Sequence, residues 1–187
     1  MKPHFLFIVA ILAFSEAYSQ FQLMDSTMAK AVSERGYVDT RIPFRKFSGS
    51  GPKGYTFTSD SLATKVTFIN FWFEACAPCV AEFDALNALY EKYKNETNFQ
   101  FISVTYEEEK DISKLIKKYK LKFPIVHVDR DKIHDLIFQL GFPTNIITDG
   151  SGIIRFIKTG GRIEPDQAQE DFDKIYSMQV ERLLFRH

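Results

Sequence analysis

Residues 66–79 read VTFINFWFEACAPC and include the only two cysteines of the chain, Cys76 and Cys79. The first eight of these residues are rich in β-branched and aromatic side chains, which predicts a buried strand. Residues 78–93 then repeat apolar side chains at spacings of three and four, as an amphipathic helix does. The C-x-x-C motif therefore stands where a strand gives way to a helix.

The position of the motif predicts chemistry at its first sulfur. Backbone N–H groups at a helix N-terminus lack helical partners, and with the helix dipole they stabilise a thiolate at Cys76. A thiolate is the species that attacks disulfides. A structural disulfide across two intervening residues would close almost no loop and would add little stability. We therefore expect a redox-active Cys76–Cys79 disulfide, with Cys76, at the exposed helix start, as the nucleophile and Cys79 as the resolving thiol.

Three further residues of this helix fit the same interpretation. Pro78 suits the first turn, where its missing N–H would have no helical partner, and Ala77 with Pro78 leaves the dipeptide between the cysteines uncharged. Glu82 follows Cys79 by three residues, so the two side chains share one helix face. Its carboxylate could accept the Cys79 proton, the alternative being an ordinary solvated position. The neighbouring thiol favours the catalytic role for Glu82.

Residues 1–19 have the pattern of a secretory signal peptide. Lys2 is basic, ten apolar residues follow at 5–14, and small side chains at Ala17 and Ser19 fit cleavage before Gln20. The apolar run is shorter than the roughly 20 residues that a membrane-spanning helix needs. We therefore expect export with cleavage near Ser19, the alternatives being an uncleaved membrane anchor or a buried helix.

The rest of the chain alternates between strand and helix patterns. Strands are expected at 42–47, 55–58, 66–73, 99–105, 123–128, 145–148 and 153–158, and helices at 78–94, 112–119, 132–140 and from Pro165 onward. The sequence SGSGPKG at 48–54 predicts a turn between the first two strands. Residues 20–41, with a helix at 24–35, read as an N-terminal extension to a single domain at 42–187. This order predicts an α/β fold with a mixed β-sheet and helices on both faces.

Composition excludes some classes of partner. The chain has 24 basic and 24 acidic side chains, so its formal net charge of zero gives no electrostatic basis for binding nucleic acid or an anionic membrane. A metal centre would require more Cys or His residues at ligand spacing, and His127 and His134 stand alone in the pattern. We therefore expect no metal, no cofactor and no nucleic acid.

Two motifs together resemble a known superfamily. Phe71–Trp72 ahead of C-x-P-C, with GFPT at 141–144 ahead of a hairpin, resembles the thioredoxin fold. Within it, the chain is similar to the exported TlpA/ResA-like thiol–disulfide oxidoreductases over roughly residues 42–185. The resemblance implies that Pro143 is a cis-proline beside the C-x-x-C and that the backbone of Phe142 pairs with bound substrate. We expect Trp72 to pack beneath the site.

The resemblance also implies a function. Relatives of this type tend to carry Asn at the position of Asn70, which cannot titrate, and Glu at the position of Glu82. Ala75 departs from them, since many have an aromatic residue just before the first cysteine. The implied activity is reduction of disulfides in exported proteins, such as apocytochromes c, in a bacterial periplasm or cell envelope. A reductant there would need electrons from a membrane donor.

Three alternatives differ from this reductase. The same dithiol could serve a disulfide oxidase or isomerase, and the sequence leaves the direction of electron flow open. A peroxidase of the peroxiredoxin type would have P-x-x-x-T-x-x-C, but Ile69 and Phe73 occupy the Pro and Thr positions. A non-catalytic binding module on the same scaffold would normally have lost one cysteine or the Pro143 motif, and this chain keeps both. The oligomeric state is not specified by any of these patterns.

Overall fold

A computed structural model of the chain describes residues 23, 26–32 and 40–185, and the predicted signal peptide lies outside this part. The seven strands found there are β1 Ser48–Gly51, β2 Tyr55–Thr58, β3 Val66–Trp72, β4 Phe99–Thr105, β5 Ile125–His127, β6 Thr144–Thr148 and β7 Ile154–Thr159. The helices are α1 (described over 26–32), α2 Ala77–Ala81, α3 Phe83–Tyr93, α4 Glu109–Tyr119, α5 Arg130–Leu136, α6 Pro165–Asp171 and α7 Ser177–Phe185. A π-helical turn, Phe172–Tyr176, joins α6 to α7, and short 3-10 turns occupy Pro52–Gly54 and Ser59–Thr64.

The strands form one mixed sheet in the order β2-β1-β5-β4-β3-β6-β7. Strands β3, β4 and β5 run parallel, whereas β6 lies antiparallel to β3 and β7, and β1 antiparallel to β5 and β2. Strand β3 has a partner on each side, and all seven of its residues are buried. This architecture confirms the predicted α/β thioredoxin fold with a central mixed sheet. None of the helices in the described part of the chain combines the length and apolar character needed to cross a membrane.

The sheet separates two hydrophobic cores, and β3 contributes to both. Side chains alternate between the two faces of a strand, so Phe68 and Trp72 enter one core while Ile69 and Phe71 enter the other. The first core also contains both cysteines. By the same alternation Asn70 faces the side of the sheet that carries Phe68, Trp72 and the C-x-x-C motif. The central strand thus directs a polar amide toward the motif from within the core.

The first strand lies elsewhere than predicted. We expected it at 42–47 and a turn at 48–54, but β1 lies inside the sequence expected to turn, and 42–47 makes only an isolated bridge, from Pro43 to Ile153. The reason is steric. A Cβ on Gly49 would lie 2.7 Å from the His127 carbonyl oxygen, so this strand can approach β5 closely only because it carries glycine.

The helix expected at 78–94 is divided in two. Helix α2 ends at Ala81, α3 begins at Phe83, and the Glu82 N–H donates to the carbonyls of Cys79 and Val80 between them. The helix expected at 132–140 starts earlier, at Arg130, and ends at Leu136. Residues 138 and 139 follow with positive φ angles of 56° and 59°, which the α-helix cannot accommodate.

Other predicted elements agree with the structure. The expected helix at 112–119 lies within α4, Pro165 begins α6, and the hairpin around Asp149–Gly150 joins β6 to β7. Of the helix expected at 24–35, residues 26–32 are described as helical, and Met28 and Val32 pack into the second core. The remainder of that prediction lies outside the described residues.

Phe68→Ala should destabilise the protein by about 3–5 kcal/mol, because a fully buried ring that stacks on Phe101 at 5.1 Å would leave a cavity. Urea unfolding of the oxidised protein measures this change. Phe185→Ala is the matched control, since Phe185 is 58% exposed and its loss should alter the free energy of unfolding by less than about 0.5 kcal/mol. Equal effects of the two substitutions would contradict the assignment of Phe68 to the core.

Candidate active site

The C-x-x-C motif caps the helix that follows the central strand. Cys76 is the N-cap residue of α2, with extended backbone angles, and its Sγ accepts a hydrogen bond from the Cys79 N–H at 3.3 Å. Cys76 and Cys79 are joined by a disulfide, with Cα atoms 5.2 Å apart. Pro78 lies in the first turn of α2, where it has no hydrogen bond to lose. The sulfur of Cys76 therefore receives a backbone donor that would also stabilise its thiolate.

The two cysteines differ little in exposure. In the oxidised protein Cys76 is 5% exposed and Cys79 is 1% exposed, so Cys76 itself is buried at the helix start. The residues on either side of Cys76, Ala75 and Ala77, are exposed and form a rim of small side chains. Small side chains leave the approach to Cys76 uncovered.

The second motif lies in the loop ahead of β6. The Phe142–Pro143 peptide bond is cis, the geometry that the family resemblance implied. The Phe142 ring is half-buried and meets Phe73 edge-on at 5.2 Å between centroids. Phe73 in turn stacks on Tyr106 at 5.4 Å. An aromatic cluster of Phe73, Tyr106 and Phe142 therefore links the loop that precedes the C-x-x-C to the loop that carries the cis-proline.

Trp72 is the last residue of β3, four residues before Cys76. Its side chain is fully buried and meets Phe83 edge-on at 4.9 Å, in the same core as both cysteines. The indole N–H donates to Ser103 Oγ at 2.7 Å.

The charge of Glu74, which precedes the motif, is offset by an ion pair with Lys118 at 2.8 Å. That pairing reduces any effect of Glu74 on a Cys76 thiolate.

Glu82 is buried, so its alternative interpretation as a solvated helix residue is wrong. It is 2% exposed and accepts a hydrogen bond from Asn145 Nδ2 to its Oε2 at 3.1 Å. Burial raises the pKa of Glu82 to about 7, because desolvation disfavours the carboxylate more than Asn145 and Lys158 favour it, and Asp171 raises the pKa further. A carboxyl group with this pKa can both accept and release a proton near neutral pH.

Glu82 belongs to a chain of buried hydrogen bonds across the sheet. Asn145 Nδ2 also donates to the Tyr176 hydroxyl at 3.1 Å, and Asn145 Oδ1 accepts from Asn70 Nδ2 at 2.9 Å. Asn70 Oδ1 accepts from Ser103 Oγ at 3.1 Å, and Ser103 accepts from Trp72. Desolvation raises the pKa of Tyr176 well above its usual value, so its hydroxyl stays protonated. The two N–H donors and the carbonyl acceptor of the Asn145 side chain are therefore all hydrogen-bonded within this network.

Sequence reasoning did not identify Asn145, Ser103 or Tyr176. Asn70 and Asn145 are directly paired in the register of β3 and β6. The available signal was the occurrence of one Asn inside each of two strands that are otherwise apolar or β-branched. An unpartnered amide would be costly inside a core, so two such residues predict a hydrogen-bonded pair. The strand pairing needed to bring them together was not available from local patterns.

No three Cys, His, Asp or Glu side chains within the described ranges are grouped so that they could hold a metal ion. His127 Nδ1 lies 3.0 Å from the Glu107 carbonyl oxygen, and His134 packs edge-on against Phe142. Both histidines are therefore engaged in packing or in backbone contacts.

The sequence model of the AhpC/TSA family matches residues 40–157. The chain belongs to the AhpC/TSA family. The matched residues contain the C-x-x-C motif, Glu82 and the cis-proline, and they end within β7.

Curated relatives carry the name thiol-disulfide oxidoreductase ResA. The protein of that name from Bacillus thuringiensis subsp. konkukian is 33% identical over 113 residues, which cover 59% of this chain and 64% of that protein. The one from Geobacillus kaustophilus is 30% identical over 115 residues, which cover 61% of this chain and 66% of that protein. The chain therefore spans just under two thirds of the length of these relatives. The resemblance expected from the sequence motifs is confirmed.

A solved structure shares the fold. The solution structure of a thiol:disulfide interchange protein from Bacteroides sp. superposes with a TM-score of 0.62 at 22% identity. The superposition covers 79% of this chain and 91% of the other. At this level of identity the comparison concerns the fold, which it shows to be that of a thioredoxin-like domain.

Glu82→Gln should make stability less dependent on pH. Because the pKa of Glu82 is about 7 when folded and ordinarily 4.5, the folded protein binds a proton that the unfolded chain releases. Stability from this group is fully present below pH 4.5 and is lost as the pH rises through about 7. From pH 4 to pH 8 the free energy of unfolding of the wild type should therefore fall by roughly 3 kcal/mol more than that of the variant. Urea unfolding of both oxidised proteins at pH 4, 6 and 8 measures this, and parallel pH curves would contradict the buried acid.

Proposed function

We propose that this protein is an exported thiol–disulfide oxidoreductase that reduces disulfides in other exported proteins through Cys76 and Cys79. The observation that carries the proposal is the Cys76–Cys79 disulfide at the start of α2, one turn before a buried carboxyl group. The relatives named thiol-disulfide oxidoreductase ResA support the same activity. The choice of exported substrates such as apocytochromes c rests on the family resemblance of the sequence motifs.

The proposed reaction begins with the reduced dithiol. The Cys76 thiolate attacks one sulfur of a substrate disulfide, forming a mixed disulfide and releasing the other substrate sulfur as a thiolate. Cys79 then attacks Cys76 Sγ, which forms the Cys76–Cys79 disulfide and frees the second substrate sulfur. Two electrons pass from the dithiol to the substrate, whose two sulfurs are each protonated to thiols. A membrane donor would restore the dithiol by the same exchange in reverse.

Glu82 is proposed to take the proton of Cys79 in the second step. A thiol attacks poorly until it loses its proton, and a base with a pKa near the working pH accepts that proton most effectively. Glu82 lies one helical turn after Cys79, and its N–H donates to the Cys79 carbonyl at 3.2 Å. The protonated carboxyl can then supply the proton to the departing substrate sulfur. Glu82 would thus transfer the proton of the Cys79 thiol to the departing substrate thiolate.

The partner is proposed to be an extended segment of protein with a disulfide or dithiol. Such a segment would lie along Phe142 and the cis-Pro143 loop, with its sulfur at Cys76 and its flanking residues over the exposed Ala77. Pro78 lies in the first turn of α2, and Trp72 belongs to the same hydrophobic core as the disulfide. The proposed site therefore consists of two reactive sulfurs, one acid and an uncharged contact surface.

A peroxidase is the second candidate, because the family that matches the chain is AhpC/TSA. In the peroxiredoxin arrangement a Pro and a Thr surround the reactive cysteine, and their positions are held here by Ile69 and Phe73. Ile69 is fully buried in the core on the other side of the sheet, and Phe73 packs in the aromatic cluster. Neither side chain offers a hydroxyl to a peroxide. The dithiol reaction is therefore favoured, and consumption of peroxide without any dithiol exchange would reverse that order.

Cys79→Ser should trap the proposed mixed disulfide. Without the resolving thiol, Cys76 should remain bonded to a disulfide-containing test peptide at one equivalent per protein, which intact-mass spectrometry detects. Cys76→Ser is the matched control and should give no adduct, because Cys79 lies inside α2 and lacks the N-cap position and the backbone donor that stabilise a thiolate at Cys76. Adduct formation at Cys79 in preference to Cys76 would contradict the assigned roles.

A further inference from the structure

The turn between β7 and α6 contacts Glu82 directly. A Cβ on Gly161 would lie 2.8 Å from Glu82 Oε1 and 3.0 Å from Pro143 Cγ, closer than packed atoms approach. The Gly161 backbone therefore packs against the carboxylate oxygen that Asn145 does not bind, since Asn145 donates to Oε2. Each oxygen of Glu82 thus has its own neighbour, an amide for one and a glycine backbone for the other.

The same turn is fixed to the cis-proline loop. The Gly160 N–H donates to the Pro143 carbonyl at 2.8 Å, and Thr159 Oγ1 donates to the Gly141 carbonyl at 3.1 Å. Residues 162–167 that follow are exposed, and Ile163 is 67% exposed. Among the described residues, this turn is therefore the outermost layer on this side of Glu82, whose own exposure is 2%.

We propose that Gly161 is a positioning residue that lets this turn close over Glu82 and keep bulk water from the carboxylate that serves Cys79. The inference rests on the proposed function, because Glu82 affects redox chemistry only if it exchanges a proton with the dithiol. A carboxyl group shielded from water has a higher pKa, and its carboxylate is a stronger base that removes a thiol proton more readily. A side chain at position 161 would hold the turn away and admit water.

Charged and polar groups around Glu82 also affect its pKa. Lys158 on β7 favours the carboxylate, while Asp171 at the end of α6 and the buried Tyr176 face the same region. Arg162 follows Gly161 directly and pairs with Asp171 at 3.5 Å, as Lys158 does. A displaced turn could therefore act through the charge of Arg162 as well as through water. The experiment needs a variant that changes this charge and leaves the turn closed.

Gly161→Ala in the full chain is the direct test. The turn should move rather than Glu82, because the turn is exposed while the acid is held by Asn145 within the core. The pKa of Glu82, read from the 13C shift of its carboxyl carbon in the oxidised protein, should fall by about one pH unit. The pH profile of disulfide reduction should move to lower pH with it. An unchanged or raised pKa of Glu82 would overturn the proposal.

Two control variants separate the causes. Gly150→Ala makes the same substitution in the β6–β7 hairpin, where the added Cβ would meet nothing closer than 3.9 Å, and should leave the pKa of Glu82 unchanged. Arg162→Gln removes the charge but not the glycine, and it should also leave that pKa unchanged. Loss of a cation cannot lower the pKa of a carboxyl group, so the effect of charge is tested by making Gly161→Ala in the Arg162→Gln background. If Gly161→Ala no longer lowers the pKa of Glu82 there, charge and not exclusion of water is the cause, and the proposal fails.

A measurement on the wild-type protein covers the case in which Gly161→Ala does not fold. If the turn stays closed, the Gly160 amide should exchange with deuterium at least about tenfold more slowly than an unstructured glycine amide, and free exchange would overturn the proposal.

Disulfide reduction by the wild type separates the proposed redox function from the proposed role of Gly161. An inactive wild type with a lowered Glu82 pKa in Gly161→Ala would support the turn and refute the redox function. An active wild type with no change in that pKa would refute only the role of Gly161.

Discussion

Hydrogen bonding of β3 on both edges is the constraint on which the site depends. Strand β3 pairs with β4 over all seven residues and with β6 over five, so its end is fixed relative to the whole sheet. The chain leaves this strand at Trp72 and reaches Cys76 within four residues. The start of α2 is therefore held close to a rigid strand end. A dithiol that must exchange partners without losing its geometry benefits from such a support.

The same strand pairing creates the polar surroundings of Glu82. Because Asn70 and Asn145 are paired across β3 and β6, their amides meet in the core and complete each other's hydrogen bonds. Asn145 then has two donors left, and it uses them for Glu82 and Tyr176. A buried acid without such a partner would carry the full cost of desolvation. The structure thus retains a proton-exchanging group in a core by giving it a neutral donor, the Asn145 amide.

Local patterns in the sequence were sufficient for some of these features and insufficient for others. The strand before the cysteines, the helix start at Cys76 and the acid at Glu82 could be predicted, since each depends on spacing within about ten residues. The position of β1 could not, because it depends on the close approach of Gly49 to β5, which is distant in sequence. The role of Asn145 and the contact of Gly161 with Glu82 likewise arise from strand register and from the path of a turn. Burial of Glu82 was also beyond local reasoning, as the covering residues come from β6 and from the chain after β7.

The most direct test of the account is the redox equilibrium of the Cys76–Cys79 pair in glutathione and dithiothreitol buffers, with Cys79→Ala as the control that cannot form the disulfide. For a reductase we expect one two-electron transition with a potential close to that of thioredoxin, about −270 mV. A potential near about −120 mV, as in strong oxidants, would contradict the direction proposed and favour disulfide formation. A pair that does not titrate at all would contradict the redox function itself.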